Sequence, residues 1–329
     1  MIISQTPLRI SLVGGGTDFK GFYKQEPGLV LSTAIDKYIF VLVKERFDDK
    51  IYVSYTKKEI VDHVSEIQHE LVREALKMTG IEKGIEIAML ADIPSEGSGL
   101  GSSSSLTVGL LNAFYTYQGL QVTAEQLAKE ASEIEIERCG KPIGKQDQYI
   151  AAYGGLREFR FNPDESVDVT KIPVKDSNYR KLGSNLLLFY TNKTRKSANI
   201  LNEQKENINS KFEFLKKIRD LVPQLTEKLG TGVFDEVGHI LNENWLLKKE
   251  LASMISNSEI DKMYDRALEA GAIGGKVAGA GGGGFLLLYV PRNKQDQLRD
   301  AMSDYRELPF MLEPFGSRII FNFRRYSAK

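Results

Sequence analysis

Residues 97–105 read Gly-Ser-Gly-Leu-Gly-Ser-Ser-Ser-Ser, three glycines and five serines set directly before the helix-spaced apolar run LTVGLLNAFYTY. A flexible linker leads into polar chain, whereas this segment feeds a helix N-terminus. Free backbone N–H groups, the positive end of the helix dipole and glycines that permit close approach together make an anion site, to which serine hydroxyls add donors or a Mg²⁺ ligand. The fold must therefore hold a glycine-serine loop at the mouth of a buried helix. It is not a Walker A loop: Lys276 follows Gly275, but Val277 comes next and the earlier glycine is misplaced. H-R-D and D-F-G are absent too. Residues 279–284, GAGGGG, match G-x-G-x-x-G literally but run from a helix into the strand-like FLLLYV, the reverse of the dinucleotide fingerprint.

Composition makes any phosphate site local. Lys plus Arg and Asp plus Glu both total 44 in 329 residues, so no global field draws the chain to nucleic acid or an anionic membrane. Hydrophobic residues make up 42%, enough for one large or two smaller cores. The single cysteine, Cys139, excludes an intrachain disulfide and reads as a space-filling residue near a helix end. His63, His69 and His239 lack metal-ligand spacing. Pro7 and Arg9 interrupt what a signal peptide would need, and no apolar run reaches membrane length, so a cytoplasmic location is expected, with no membrane partner and no nucleic acid.

Strands are expected over 29–47, 50–55 and 85–94, and helices over 69–80, 102–120 and 123–140, the last opened by Thr123 with Gln126 three residues on. A buried strand at 185–192 precedes mostly helical sequence from about Ser197 to Ala270, and strands LLLYV and SRIIFNF flank a last helix. Strands followed by helices suggest α+β with two lobes and a cleft between them, residues 1–180 and 181–329. The amphipathic helices at 200–270 leave an internal packing role or a homodimer interface open.

PLRISLVGGGTD (7–18), PSEGSGLGSSSS (94–105) and KVAGAGGGGF (276–285) resemble, in order and spacing, motifs 1, 2 and 3 of the GHMP small-molecule kinases. The resemblance covers nearly the whole chain and implies a two-lobed α+β kinase that uses ATP and Mg²⁺. In it, Pro94, Gly97, Gly99, Leu100, Gly101, Ser102, Ser103 and Ser104 wrap the ATP phosphates, and motif 3 steadies that loop. GGGTD, in place of the GEHTD of galactokinases, resembles the fucokinase and heptose 7-phosphate kinase branch. So does YTNKTRKSA at 190–198, with Asn192 where that branch usually has glycine. A free-standing chain of this length looks more like the heptose 7-phosphate side, acting at the anomeric hydroxyl on the route to GDP-heptose, with a free-sugar kinase such as fucokinase as the alternative.

The resemblance also implies roles. GKQDQYIAAYGG (144–155) makes Asp147 the carboxylate that accepts the hydroxyl proton, paired with Arg9. A Mg²⁺ site is expected from Ser102 or Ser103 and from Glu135, twelve residues before Asp147; of Glu133, Glu135 and Glu137 only one should point inward. Gly15, Gly16, Thr17 and Asp18 are expected at the sugar, Asp18 accepting two hydroxyls. Arg195 and Lys193 are expected on the terminal phosphate, with Lys145 a competitor. A sensor that binds ATP and sugar without turnover would tolerate loss of Asp147 or Arg9, both of which are present. GGGTD and the YTNKTR stretch argue against a decarboxylase of the mevalonate branch.

Overall fold

The computed structural model describes residues 1–94, 97–193, 197–232 and 234–323. Strands are β1 (Ile2–Val13), β2 (Gly28–Glu45), β3 (Ile51–Ser54), β4 (Lys58–Val61), β5 (Ile85–Ala91), β6 (Leu156–Phe161), β7 (Val167–Lys171), β8 (Leu186–Tyr190), β9 (Gly274–Val277), β10 (Phe285–Tyr289) and β11 (Arg318–Asn322). Helices are α1 (Lys20–Tyr23), α2 (Glu70–Thr79), α3 (Ser102–Gln118), α4 (Ala124–Ser132), α5 (Gln146–Tyr153), α6 (Asp176–Asn185), α7 (Ser197–Glu206), α8 (Phe212–Thr231), α9 (Asp235–Lys249), α10 (Ser258–Glu269) and α11 (Gln295–Ala301). The fold is α+β, as expected, and none of its helices among the described residues is long and apolar enough to cross a membrane.

The larger sheet runs β11-β1-β2-β5-β3-β4, with β6 and β7 branching from β2. The 18-residue β2 makes the branch possible: its start pairs with β6 and its end with β5, while β1 pairs with its other edge from Leu31 to Val43. Pro7 inside β1 reads as a strand breaker, yet it lies opposite Tyr38 where the register shifts, and proline is tolerated at such irregularities because a ladder hydrogen bond is already missing there. β11 pairs with β1 at the sheet edge, so the final strand of the second half returns to the first lobe and a division at 180 does not separate the two sheets.

The second sheet, β8-β10-β9, is antiparallel and lies between two cores. In β10, Phe285, Leu287 and Tyr289 enter the core of the large sheet, whereas Leu286 and Leu288 enter a second core with Trp245, Tyr264 and Ile218. In β8, Leu186 and Leu188 face the first and Leu187 and Phe189 the second. Burial on both faces explains why these strands read as unbroken apolar runs rather than alternating ones.

The expected helix over 123–140 begins with Thr123, whose hydroxyl accepts from the Gln126 N–H at 3.1 Å, while the Gln126 side chain turns to Glu130, so only half of a capping box forms. At Glu133 the helix widens into a π turn that continues to Arg138. Such widening is frequent at functional sites.

Candidate active site

Along β1, Leu8, Ile10 and Leu12 enter the core, and the alternate residues Arg9 and Ser11 face away from it. The buried Arg9 side chain donates from Nε to Asp147 Oδ1 at 2.7 Å and from Nη2 to Oδ2 at 2.6 Å, a bidentate pair, and from Nη1 to the Gly99 carbonyl at 2.7 Å. Asp147 stands in the first turn of α5 with its side chain 24% exposed, so the aspartate reaches solvent while the arginine behind it does not. Arg9 thus joins the carboxylate to the glycine-serine loop.

The loop is shaped from behind. Gly101, at φ +80°, precedes α3, and a Cβ there would come within 3.1 Å of the Arg9 side chain. A Cβ on Gly99 would lie 2.5 Å from the Ala278 carbonyl, and one on Gly279 2.7 Å from the Gly99 α-carbon. The turn at 278–284 therefore packs backbone to backbone against the loop, a contact only glycine permits. Gly97 lies in the same loop and its carbonyl backs Gly284; Leu100 is buried, and Pro94 is exposed at the loop's entry.

The serines diverge. Ser102 is buried and shares a hydrogen bond of 3.1 Å with Ser98, Ser104 donates to Glu135 Oε2 at 2.6 Å, and Ser103 faces solvent. Of the three glutamates of the π turn, Glu133 pairs with Arg138, Glu137 lies near Lys20, and Glu135 is fully buried. Glu135 Oε2 also accepts from Gln148 at 2.6 Å, but Oε1 has no hydrogen-bond partner. Burial raises the pKa of its carboxyl, against Lys141 and the hydroxyls of Ser104 and Ser103. Lys141 Nζ lies 4.0 Å from Oε1. A buried carboxylate oxygen that accepts no hydrogen bond, beside serine hydroxyls at a helix start, is a donor set of the hard-oxygen type that Mg²⁺ requires.

The GGGTD segment behaves differently from expectation. Thr17 is fully buried: its hydroxyl donates toward the carbonyls of Gly14 (2.8 Å) and Leu29 (2.9 Å) and accepts from the Leu29 N–H, fixing the turn to β2 rather than facing the cleft. Asp18, expected to accept two sugar hydroxyls, is 1% exposed, and its oxygens accept from the Gly16 N–H (3.0 Å), the Gln146 N–H (3.2 Å) and the Gln146 amide (3.1 Å). It therefore holds the start of α5. Burial, then the charge of Asp147, raises its pKa. Gly16 lends its N–H to Asp18, and Gly15 lies between Ser11 Oγ and the Gln146 side chain. Ser11 Oγ and Gln146 Oε1 are buried without hydrogen-bond partners, two polar groups at Gly15 that sequence reasoning missed, although Gln146 adjoins Asp147 in KQDQ.

Lys193 forms an exposed ion pair with Glu259 at 2.5 Å, and Arg195 lies outside the described residues. Asn192 has φ +57°, a left-handed conformation that glycine takes freely and asparagine tolerates. Lys276 was also missed. Its ammonium is buried and donates to the Ser11 and Leu12 carbonyls at 3.0 and 3.1 Å; burial, then the charge of Arg9, lowers its pKa to about 7.

Two family models match, GHMP kinases N terminal domain over residues 62–155 and GHMP kinases C terminal over 223–307. The D-glycero-alpha-D-manno-heptose 7-phosphate kinase of Campylobacter jejuni is 32% identical over 318 residues, covering 92% of this chain and 93% of that protein. The chain belongs to the GHMP kinases. Among solved GHMP-type folds, a D-glycero-D-manno-heptose 1-phosphate kinase from Bacteroides thetaiotaomicron is 26% identical and superposes with a TM-score of 0.83 over 98% of this chain and all of the other. A putative sugar kinase from Campylobacter jejuni is 28% identical, with a TM-score of 0.76 over 97% of each chain. GHMP kinases take phosphate from ATP, and the phosphate-loop geometry of this member matches that use.

Proposed function

We propose that this GHMP kinase transfers the γ-phosphate of ATP to the anomeric hydroxyl of D-glycero-α-D-manno-heptose 7-phosphate, giving the 1,7-bisphosphate from which GDP-heptose is made. The observation that carries the reading is the Arg9–Asp147 pair at the head of the phosphate loop. Asp147 Oδ takes the hydroxyl proton as the sugar oxygen bonds to the γ-phosphorus and the bond to the ADP oxygen breaks. Arg9 orients the carboxylate and couples it to the Gly99 carbonyl, so base and loop move together. The free N–H groups at the start of α3 hold the phosphates. Glu135 and Ser103 would hold Mg²⁺, which when bound neutralises phosphate charge.

The choice of sugar rests on the 32% identical heptose 7-phosphate kinase, together with GGGTD. The relative named for heptose 1-phosphate makes the position of transfer the point to test. ADP release with Mg²⁺ is measured for heptose 7-phosphate, heptose 1-phosphate, the free heptose, L-fucose, D-galactose and mevalonate, with Asp147→Asn as control, and the product is read by ³¹P NMR. Turnover of the 7-phosphate, with a new anomeric phosphorus signal and loss in the control, is the expected result. Preference for L-fucose or another free sugar would replace the substrate, and no turnover with any would favour a non-catalytic binder.

A further inference from the structure

Glu165 lies in the turn between β6 and β7 with φ +75°, a left-handed conformation unfavourable for glutamate. Three ammonium groups from two separate segments converge on it. Lys20 and Lys24 reach Oε1 at 3.1 and 3.0 Å, and Lys145 reaches Oε2 at 3.1 Å. Lys145 also lies over the Tyr23 ring, and the Tyr23 hydroxyl is 3.5 Å from Oε2. Burial acts to raise the Glu165 pKa, but hydrogen bonds from Lys24, Lys145 and Lys20 outweigh it and bring the carboxyl down to about 2. One carboxylate leaves the group net positive, and Glu137, 3.8 Å from Lys20, offsets only part of the remainder.

The cluster adjoins the reacting centre. Lys145 immediately precedes α5, its N–H donates to the Asp18 carbonyl at 3.4 Å, and its α-carbon is at most about 7.6 Å from that of Asp147. Lys20 follows Asp18 by two residues. A phosphomonoester carries nearly two negative charges and three acceptor oxygens, a closer match to three ammonium groups than a carboxylate is.

We propose that Lys20, Lys24 and Lys145 receive the phosphate that the sugar carries at the end remote from its anomeric hydroxyl, with Glu165 occupying that place in the free enzyme. This rests on the kinase reading above and names the residues that make its substrate a sugar phosphate, a task expected from the sequence of Arg195 and Lys193 with Lys145 as competitor. Glu165 then acts as a selectivity filter: a neutral sugar has nothing to displace it.

The test uses the full-length enzyme, the Lys20→Met/Lys24→Met double variant and Glu165→Gln; both lysines are largely solvent-exposed, so the fold should survive. KM is measured for heptose 7-phosphate and for ATP, and binding of inorganic phosphate by calorimetry. The expected result is a rise of about tenfold or more in KM for the sugar phosphate in the double variant, with KM for ATP unchanged and phosphate binding weakened in parallel. Glu165→Gln should lower that KM, because no anion need be displaced. An unchanged sugar-phosphate KM in the double variant, or an equal rise for ATP, overturns the proposal. If the wild type does not turn over heptose 7-phosphate, the kinase substrate falls, yet phosphate binding that the double variant loses upholds the cluster. Phosphate binding that is absent, or the same in all three proteins, overturns it.

Discussion

Arg9 spends its guanidinium on three hydrogen bonds, two to Asp147 and one to Gly99, and a lysine cannot make all three because it lacks the planar fork. Arg9→Lys should therefore lower kcat and also raise KM for ATP, whereas Asp147→Asn, which leaves the loop alone, should lower kcat by about 10²–10⁴-fold with little change in KM for ATP. Steady-state kinetics of the two variants separates the roles; equal effects on KM for ATP would mean that Asp147 also shapes the nucleotide site. At Glu135, replacement by Gln keeps an acceptor for Ser104 but removes the charge on the oxygen that accepts no hydrogen bond. A higher Mg²⁺ concentration for half-maximal activity, with an unchanged melting temperature, is the outcome expected from a Mg²⁺ titration and a thermal melt.

At the scale of elements, the contact between the phosphate loop and the 278–284 turn admits no side chain. Gly99→Ala places a methyl 2.5 Å from a backbone carbonyl, so one segment must move; raised KM for ATP and a lower melting temperature are expected together, and a melt with and without ATP checks both. Elements with a strong local signal were legible in the sequence: the Thr123 cap, Gly80 ending α2 and the apolar runs of β8 and β10. β1 carries a proline and exchanges apolar for polar residues on alternate sides, so its pattern is indistinct although it lies inside the sheet between β11 and β2. Within the candidate site, the motif that marks Asp147 and the offset that marks Glu135 were legible, and the structure places Asp147 against Arg9 and Glu135 against Ser104. The actual engagements of Thr17 and Asp18 depend on β2 and α5, distant in sequence, and no local pattern encodes a hydroxyl turned toward Leu29 or a carboxylate turned toward Gln146.

Across the whole molecule, Lys276 ties the small sheet to β1 with a charge in the interior. Its pKa, lowered to about 7 in the native protein, returns to about 10.4 on unfolding, so between these values the unfolded chain binds more protons. Stability should therefore rise with pH from about 7 to about 9, below the range where buried tyrosines with raised pKa pull the other way. Denaturant titrations at several pH values should show that slope, and Lys276→Met should flatten it; a slope that persists in the variant would assign it to another group.

The phosphate loop has no floor of its own: the backbone that supports Gly99 belongs to residues about 180 positions further along the chain. The glycine-serine loop therefore cannot reach its final shape until the late glycine turn has docked against it, just as the large sheet is complete only once β11 has paired with β1. A ligand that binds only the docked loop would draw its binding energy from the finished fold, so ATP should raise the melting temperature of this protein in proportion to the logarithm of its concentration.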